Sequence, residues 1–301
     1  MEFEDDGYAS YGGIAYPTIN LSECDIIVVG IPYESATSGK KGTSFAPSTL
    51  RQISKDMQTM SRNGTNIDEL AIKDVGNIPI FPLNAEKTRN NIETYYSHLL
   101  KESQATIISI GGDHSNTYPI LKAMTTMGRI GVIWFDAHRD ILPELLKSKY
   151  SHGSPLGRAI ELENIDPSNC LIIGTRYLTQ IEQQIIENNK INEFKMHDIE
   201  QSDFNMNIFQ EKILEIAKNV DHIYVSIDID VLDPAFAPGT GTPVGGGMST
   251  SQLMQFISAI PIKIRAFDLM EISPPLDHSG ITLKAAMGIF TELLAQIKTQ
   301  Y

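Results

Sequence analysis

The sequence predicts an α/β fold in which helices cover both faces of a parallel β-sheet. Short apolar runs rich in β-branched residues alternate along the chain with amphipathic stretches, as is typical of parallel strands joined by crossover helices. Aspartates and histidines directly follow several of these runs, and open α/β sheets bind their ligands at that end of the strands. These two observations predict the fold class and the edge of the sheet where a site should lie.

The elements are predicted in order from apolar periodicity and from turn residues. Residues 1–24 are expected to form an irregular arm, because glycines and Pro17 interrupt them. The predicted elements up to residue 135 are a strand at 25–31, a loop at 32–44, a helix that begins near Pro47, a helix at 86–103, a strand at 106–110, a helix at 118–126 and a strand at 130–135. Those that follow are a helix at 154–163, a strand at 170–174, a helix at 181–189, a strand at 193–197, a helix at 208–219, a strand at 223–227, a helix at 249–260, a strand at 264–270 and a helix at 282–298. No repeat or linker divides the chain, so residues 1–301 are expected to form a single domain.

Composition limits the classes of partner. The chain has 301 residues and a formal net charge of −13, which disfavours nucleic acid and anionic membranes as partners. Its two cysteines, Cys24 and Cys170, are too few for a disulfide framework or a zinc cluster and favour a reducing compartment. The acidic residues 1–6 are unlike a secretory signal, and no apolar stretch is long enough to cross a bilayer. We therefore expect a cytoplasmic protein that binds neither nucleic acid nor membrane.

Three motifs rich in acids and histidines follow predicted strands. They are Gly111–His114, Asp136–Asp140 and Asp228–Asp230. A lone Asp-x-Asp is usually a loop or a cap, and a lone buried histidine is usually a hydrogen-bonded core residue. Carboxylates packed as closely as these motifs imply repel one another unless a cation neutralises them. The three motifs together therefore predict a metal site.

The spacing within these motifs predicts that several of their side chains face the same side of the extended segment. In an extended segment alternate side chains share a face, so Arg139 should point away from the side shared by its neighbours in the motif. The six candidate ligands are His114, Asp136, His138, Asp140, Asp228 and Asp230. Six ligands are many for one catalytic ion with an open position, but they suit two ions roughly 3.5–4 Å apart, which lower the pKa of bound water toward about 7. Mixed oxygen and nitrogen ligands favour ions such as Mn²⁺.

With these motifs identified, the chain resembles the ureohydrolases, the arginase and agmatinase family. The resemblance runs from about Asp25 to the last predicted helix, and it rests on residues 111–115, on residues 136–140 and on the long motif from Ser226 to Pro243. It implies a three-layer α/β/α sandwich with a central parallel sheet, of the kind called arginase-like. It also implies a dinuclear manganese centre, hydrolysis of a guanidino group to urea and an amine, and assembly into trimers or hexamers.

The resemblance also implies roles for individual residues. One ion would be held by His114, Asp136, Asp140 and Asp228, and the other by Asp136, His138, Asp228 and Asp230, with two Mn²⁺ per subunit or with Ni²⁺, Co²⁺ or Fe²⁺ in their place. Asp140 would also pass a proton to the departing amine. His152 matches a histidine proposed as a proton shuttle, although on its own it would be taken for a loop residue. Glu271 matches the acid that pairs with the substrate guanidinium, whose planar fork suits a carboxylate; alone, it could equally form an ion pair at a strand end.

Other residues near these motifs are expected to support the site. Asp113 and Asp233 lie beside candidate ligands in the sequence, and we expect them to orient ligands or to shape loops. The glycines between Gly239 and Gly247 are expected to allow tight turns near the ions, although a plain surface loop would have the same composition.

The sequence favours agmatine among the guanidino compounds. Leu142 stands where arginases typically carry an asparagine that helps to hold the α-carboxylate, so arginine is disfavoured. The segment around Glu271 resembles agmatinases more than arginases. A carboxylate-tailed substrate such as guanidinobutyrate would become attractive if Arg139, Lys147 or Lys149 faced the pocket. Strand alternation predicts that Arg139 points away from the metal site, and lysines on loops are usually solvated. Agmatine, a small cationic compound, is therefore the substrate that the sequence favours.

Several alternatives remain open at this point. Guanidinobutyrate, guanidinopropionate, guanidine or arginine could be the substrate, and a different hydrolase could cleave an amide or formimino group on the same scaffold. Metal-dependent deacetylases share the architecture, but typically have one zinc ion and fewer acids. A non-catalytic member that binds a partner would be expected to have lost a ligand, and none of the six is lost here.

Overall fold

A single parallel sheet organises the protein. The computed structural model describes residues 1–4, 11 and 18–300, and the sheet contains eight strands in the order β2-β1-β3-β8-β7-β4-β5-β6, with every neighbouring pair parallel. The strands are β1 (Ile26–Ile31), β2 (Ile72–Asn77), β3 (Thr106–Gly111), β4 (Ile130–Phe135), β5 (Cys170–Ile173), β6 (Asn192–Phe194), β7 (His222–Asp228) and β8 (Ala266–Met270). Parallel neighbours require crossover connections, and these are supplied by the helices.

Helices cover both faces of this sheet. Within the described residues they are α1 (Ala46–Ile53), α2 (Ala85–Glu102), α3 (Thr117–Met124), α4 (Pro155–Ala159), α5 (Gln180–Asn189), α6 (Met196–Gln201), α7 (Met206–Ala217), α8 (Thr250–Ser258) and α9 (Ile281–Lys298). In β1, Ile26 and Val28 belong to one buried apolar cluster, whereas Ile27 and Val29 belong to a second cluster on the other face. The three-layer α/β/α sandwich with a central parallel sheet is therefore confirmed.

Three local predictions need correction. The strand β2 (Ile72–Asn77) was missed, because its interior residues are half-buried at the edge of the sheet and lack an apolar run. The strand expected at 193–197 ends at Phe194, and Met196 begins a helix instead. The helix expected at 154–163 is the single short turn α4, with irregular backbone after Ala159.

The N-terminal arm is only partly described. Glu4 exchanges two backbone hydrogen bonds with Asn77 at the end of β2, and Leu21–Glu23 form one 3₁₀ turn. The glycines and Pro17 on which the expectation of an irregular arm rested lie outside the described residues. Among the described helices, none is long and apolar enough to cross a bilayer.

The strand order brings the sequence motifs together. β3, β8, β7 and β4 are consecutive in the middle of the sheet. His114 follows β3, Glu271 follows β8, Asp228 ends β7, and Asp136 follows β4. Because all strands are parallel, their carboxyl ends meet at one edge, and the candidate residues therefore converge above the centre of the sheet.

Gly112 allows the chain after β3 to pack closely beside the chain after β1. The Gly112 amide donates to the carbonyl of Ile31, and the Asp113 amide donates to that of Tyr33. A side chain at Gly112 would place its Cβ 1.9 Å from the Tyr33 oxygen, so only glycine fits there. This contact fixes the start of the segment that presents His114.

Candidate metal centre

His114 lies at the middle of the first group of candidate ligands. Its Nδ1 atom is 3.2 Å from Oδ2 of Asp136, 3.1 Å from Oδ2 of Asp140 and 3.1 Å from Oδ2 of Asp228. All four side chains are buried. Three carboxylates from two other motifs therefore surround one atom of His114, and His114, Asp136 and Asp228 offer ligand atoms close enough together to share one ion.

His138 forms a second group beside the first. Its Nδ1 atom is 3.4 Å from Oδ1 of Asp136 and 3.1 Å from Oδ2 of Asp230. The carboxylate of Asp136 thus offers Oδ2 to the first group and Oδ1 to the second. This arrangement is suited to two neighbouring cations that share one carboxylate.

The chemistry and the spacing of these atoms fit divalent ions. Ligand atoms about 2.1 Å from a common ion and at near right angles to each other are about 3 Å apart, which is close to the separations found here. Nδ1 of His114 is buried and makes no hydrogen bond to any described residue, so its lone pair is available. Carboxylate oxygens with imidazole nitrogens suit hard to borderline ions such as Mn²⁺.

Electrostatics support the same conclusion. Burial and the charge of Asp136 raise the pKa of Asp140 to about 7, and burial with the charges of Asp230 and Asp136 raises the pKa of Asp228 well above its usual value. Burial alone would lower the pKa of His114, but the carboxylates around it raise this pKa well above its usual value. A buried cluster of acids with this much mutual repulsion needs positive charge, which cations would provide.

The strands below the cluster hold its ligands in position. The ring of Trp134 stacks on His114, with centroids 4.1 Å apart, and its indole nitrogen donates to Oδ2 of Asp136 at 2.9 Å. Nε2 of His114 is 2.8 Å from Oγ of Ser226, which in turn donates to Asp268 at 2.7 Å. The register explains this support, because Ser226 pairs with Trp134 on one side and with Asp268 on the other.

Glu271 and His152 form a buried pair next to the first group. Oε1 of Glu271 accepts from the His114 amide at 3.0 Å and lies 3.1 Å from Nδ1 of His152. Nε2 of His152 accepts from the Ser38 amide at 3.0 Å. Burial by itself would lower the pKa of His152, but the neighbouring Glu271 carboxylate raises this pKa to about 9. Glu271 is 1% exposed, and its Oε2 atom has no hydrogen-bond partner among the described residues. That oxygen is free to accept from a ligand.

Two candidate catalytic residues have unusual backbone conformations. Asp140 has φ of 53° and Glu271 has φ of 61°, in the left-handed region that non-glycine residues rarely adopt. Each such residue costs about 1–3 kcal/mol, and this strain is concentrated at functional sites.

A cavity of about 610 Å³ opens above the cluster. Its walls are formed by Ser38, His138, Asp140, Leu142, Leu145, His152, Gly153, Tyr177, Thr179, Glu182, Asp228, Thr242, Pro243, Val244 and Gly245. His114, Asp136, Asp230 and Glu271 are not among these wall residues, and all four are buried. Within the described residues, this wall contains no lysine and no arginine.

The three basic residues considered from the sequence do not reach the cavity wall. Arg139 is fully buried and forms a two-pronged ion pair with Glu193, at 2.7 and 2.9 Å, while Gln183 accepts from the same guanidinium at 2.7 Å. It therefore points away from the ligands, as strand alternation predicts. Lys147 and Lys149 are exposed on the loop before His152.

The acids beside the ligands shape the loops. Asp113 accepts from the amides of Ala36 and Ser115, which ties the loop after β1 to the segment that carries His114. Asp233 accepts from the amides of Gly246 and Gly247 and closes the glycine-rich loop over the site.

Arg176 is an important residue that the sequence reasoning missed. Its guanidinium donates to the carbonyls of six residues, and these are Gly174, Asp230, Val231, Leu232, Val244 and Gly245. It thereby ties the segment that carries Asp230 to the loop that lines the cavity. A single arginine after a strand is common in proteins, so nothing in the sequence around Arg176 indicates this role.

Similarity to known proteins shows the family to which the chain belongs. The sequence profile of the arginase family matches residues 24–295, which is most of the chain. The chain belongs to the arginase family. It is therefore a hydrolase of C–N bonds in linear amidines and acts on guanidino compounds, and the family is generally dependent on a binuclear metal centre.

Characterised relatives of this arginase-family chain differ in substrate. Proclavaminate amidinohydrolase from Streptomyces clavuligerus is 32% identical over 286 residues, which cover 90% of this chain and 88% of that protein. Agmatinase from Proteus mirabilis is 32% identical, with 91% and 87% covered. Guanidinobutyrase from Pseudomonas aeruginosa is 31% identical, with 91% and 86% covered.

The solved structure of the Streptomyces proclavaminate amidinohydrolase has the same fold. It superimposes with a TM-score of 0.87 at 30% identity and covers 99% of this chain. Since relatives at nearly equal identity act on different guanidino compounds by name, identity to them does not select one substrate.

Proposed function

We propose that this protein hydrolyses agmatine to putrescine and urea. The observation that supports agmatine over carboxylate-tailed substrates is the absence of lysine and arginine from the described wall of the cavity. A substrate carboxylate would enter without a cationic partner, and burying an unpaired charge is strongly unfavourable. Leu142 lines the wall as well and cannot donate a hydrogen bond to a carboxylate.

The six candidate ligands would hold two divalent ions. His114, Asp136, Asp140 and Asp228 would bind one, and Asp136, His138, Asp228 and Asp230 the other, with Mn²⁺ as the proposed metal. Such a pair of ions supplies a water activated at neutral pH.

Glu271 would orient the substrate. A guanidinium is charged at any working pH and presents parallel N–H groups, and the unpartnered Oε2 of Glu271 is an acceptor of the matching charge. The His114 amide and His152 hold the other oxygen, so the carboxylate cannot rotate freely. Pairing with Glu271 would keep the guanidinium carbon close to the first group of ligands.

Asp140 and His152 would manage the protons. When the C–N bond breaks, the departing nitrogen needs a proton to leave as an amine. Asp140 lies in the cavity wall, where it would take the proton that the attacking water loses and pass it to that nitrogen. His152 is in the same wall and could exchange protons between Asp140 and solvent.

A second candidate is a carboxylate-tailed guanidino acid, since guanidinobutyrase is among the similar proteins. The exposed loop with Lys147 and Lys149, which precedes His152 of the wall, could bring a cation to such a tail. We also propose, from the family resemblance, that the chain forms one domain and assembles as a trimer or hexamer. Light scattering on the metal-loaded protein tests the assembly.

Release of urea tests the function. The metal-loaded protein would be assayed with agmatine, arginine, guanidinobutyrate, guanidinopropionate and guanidine under Mn²⁺ and under Ni²⁺. We expect agmatine to give the highest kcat/KM. If another compound of the panel gave a higher kcat/KM, that compound and not agmatine would be the preferred substrate. If none of the compounds released urea, the proposed function would be wrong.

A further inference from the structure

Arg139 is a buried cation that lies in the chain between two candidate ligands, His138 and Asp140. Its Nε and Nη2 atoms donate to the two carboxylate oxygens of Glu193 at 2.7 and 2.9 Å, and Nη2 also donates to Oε1 of Gln183 at 2.7 Å. Glu193 lies in β6 and Gln183 in α5, so Arg139 connects the segment that carries the ligands to the edge of the sheet. Neither partner is a candidate ligand or one of the described residues of the cavity wall.

Stability alone does not account for this buried ion pair. The loss of hydration of two buried charges offsets most of their attraction, and apolar side chains of similar volume often stabilise a fold at least as well. Nη1 of Arg139 is also buried without a hydrogen-bond partner among the described residues, which is unfavourable for an N–H group. What the pair supplies is direction, because a planar guanidinium held at two points by a carboxylate has a fixed position.

The segment that carries the ligands needs such a fixed point. It follows β4 and belongs to no helix or strand of the described chain, so the hydrogen bonds of regular structure do not hold it. Near its start, the carbonyl of Ala137 accepts from the amide of Arg176. At its end, the carbonyl of Asp140 accepts from the amide of Gly157. Between these two contacts, the side chain of Arg139 adds three hydrogen bonds to neighbouring elements.

The backbone of Asp140 makes this support necessary. Its φ of 53° lies in the left-handed region, which few non-glycine residues adopt. A strained backbone persists only where the surrounding structure fixes it. The Gly157 amide binds Asp140 on one side, and the neighbouring Arg139 is fixed on the other. In this conformation Oδ2 of Asp140 lies 3.1 Å from Nδ1 of His114.

The same support affects both groups of candidate ligands. Asp140 belongs to the group around His114, whereas His138 belongs to the second group, with its Nδ1 atom 3.1 Å from Oδ2 of Asp230. Arg139 is the single residue that joins the two in the chain. A shift of Arg139 would therefore move one ligand of each group.

We infer that Arg139 is a positioning residue for the reaction, which acts through its ion pair with Glu193. The pair holds His138 and Asp140 at the separation that two neighbouring ions need. This inference rests on the proposed pair of ions and on the proposed proton transfer by Asp140. Since Arg139 is not part of the described cavity wall, its loss should weaken ion binding and slow turnover without changing how the substrate binds.

The first experiment uses Arg139→Lys, which keeps the positive charge and loses the planar fork. We expect the Mn²⁺ affinity of the metal-free protein, measured by titration calorimetry, to fall roughly 10- to 100-fold. With Mn²⁺ at saturation, kcat for agmatine should fall by roughly the same factor, while KM stays within about twofold of the wild-type value. Circular dichroism checks that the variant keeps the fold.

The matched control is Arg51→Lys, at a buried ion pair of the same kind. Arg51 is 2% exposed, and its Nε and Nη2 atoms donate to the two oxygens of Asp74 at 2.8 and 2.9 Å. Four strands of the sheet separate β2, which contains Asp74, from β4. We expect Arg51→Lys to lower the free energy of unfolding and to leave Mn²⁺ affinity and kcat unchanged. If Arg139→Lys also changed only the stability, its role would be structural and the inference would be wrong.

The second experiment tests whether the effect passes through Glu193. This residue lies in the edge strand β6, and Glu193→Gln keeps the shape of the side chain but removes its charge. We expect Glu193→Gln to weaken Mn²⁺ binding and to lower kcat as Arg139→Lys does. The variant with both substitutions should be no worse than the more affected single variant, because each removes the same contact. Effects that simply add would show that Arg139 acts without Glu193 and would overturn the inference.

The outcomes separate this inference from the choice of substrate. The Mn²⁺ titrations need no substrate, and kcat can be compared with whichever guanidino compound the wild-type protein prefers. Weaker Mn²⁺ binding by Arg139→Lys and Glu193→Gln, without hydrolysis of agmatine by the wild type, would support the positioning role and refute agmatine. If the wild-type protein bound no divalent ion, the proposed function and the inference would both be wrong.

Discussion

The indole N–H of Trp134 is hydrogen-bonded to Oδ2 of Asp136, a carboxylate shared by both groups of candidate ligands. The same ring stacks on His114. A single buried side chain of β4 therefore orients two ligands at once, one through a hydrogen bond and one through packing. Partners of this kind fix the orientation of ligands and tune their basicity.

Trp134→Phe should lower the affinity for divalent ions. Phenylalanine keeps an aromatic ring against His114 but loses the donor to Asp136, so the carboxylate shared by the two groups is less well fixed. We expect roughly 10- to 100-fold weaker Mn²⁺ binding, as is typical for the loss of such a partner. Titration calorimetry on metal-free protein measures the affinity, and circular dichroism of the two metal-free proteins checks that the variant keeps the fold. Unchanged affinity would show that the hydrogen bond does not position the ligand.

Glu271→Gln should lower kcat/KM for agmatine and leave metal content unchanged. A neutral amide loses the charge that pairs with the guanidinium, and a hydrogen bond to a charged group contributes about 1.5–3 kcal/mol, so roughly a 10- to 100-fold decrease is expected. Steady-state urea release and elemental analysis test both parts. Glu163→Gln, an exposed acid, is the control. A kcat/KM equal to that of the wild type would refute the assignment of Glu271.

Asp140→Asn should reduce turnover by roughly 10²- to 10⁴-fold, the usual contribution of a group that transfers a proton in the transition state. The asparagine preserves the shape and tolerates the positive φ of 53° at this position, so the fold should be retained. Urea release under saturating agmatine gives kcat, and circular dichroism checks the fold. Near-wild-type turnover would remove Asp140 from the proton transfer.

Arg176→Lys should loosen the loop above the site. A lysine cannot reproduce the fork that donates to carbonyls on both sides of the loop, from Asp230 to Val244. We expect the free energy of unfolding to fall by about 1–3 kcal/mol. Hydrogen exchange should also quicken in residues 231–245. Arg129→Lys, at an exposed ion pair with Asp221, is the control and should change neither quantity. If Arg176→Lys matched this control, the loop would be held by other contacts.

The sequence was sufficient to predict the central strands and their motifs. Each of β3, β4, β7 and β8 is a mostly apolar run that is buried over nearly its whole length, which gives a strong pattern. The acids and histidines that directly follow those runs form an equally distinctive pattern. In the structure the six candidate ligands lie close together, and Glu271 and His152 lie beside them.

What the sequence could not predict depends on neighbours that are distant in the chain. β2 (Ile72–Asn77) is a strand only because the edge of β1 pairs with it, and its polar residues gave no periodic signal. Arg176 matters because of the loop to which it is hydrogen-bonded, whereas in the sequence it is simply an arginine after a strand. A sequence pattern indicates which face of a helix or strand is buried. It does not indicate which residues of a distant segment pack against that face.

The strand order also determines when the site can exist during synthesis. β8, the last strand along the chain, inserts between β3 and β7 in the middle of the sheet. A nascent chain that has emerged only as far as Asp230 contains all six candidate ligands, but β3 and β7 then have no strand between them to hold His114 near Asp228. Assembly of the cluster of candidate ligands must therefore wait for nearly the whole polypeptide. If the cluster binds ions as proposed, their binding to a nascent chain would show that the centre of the sheet has formed.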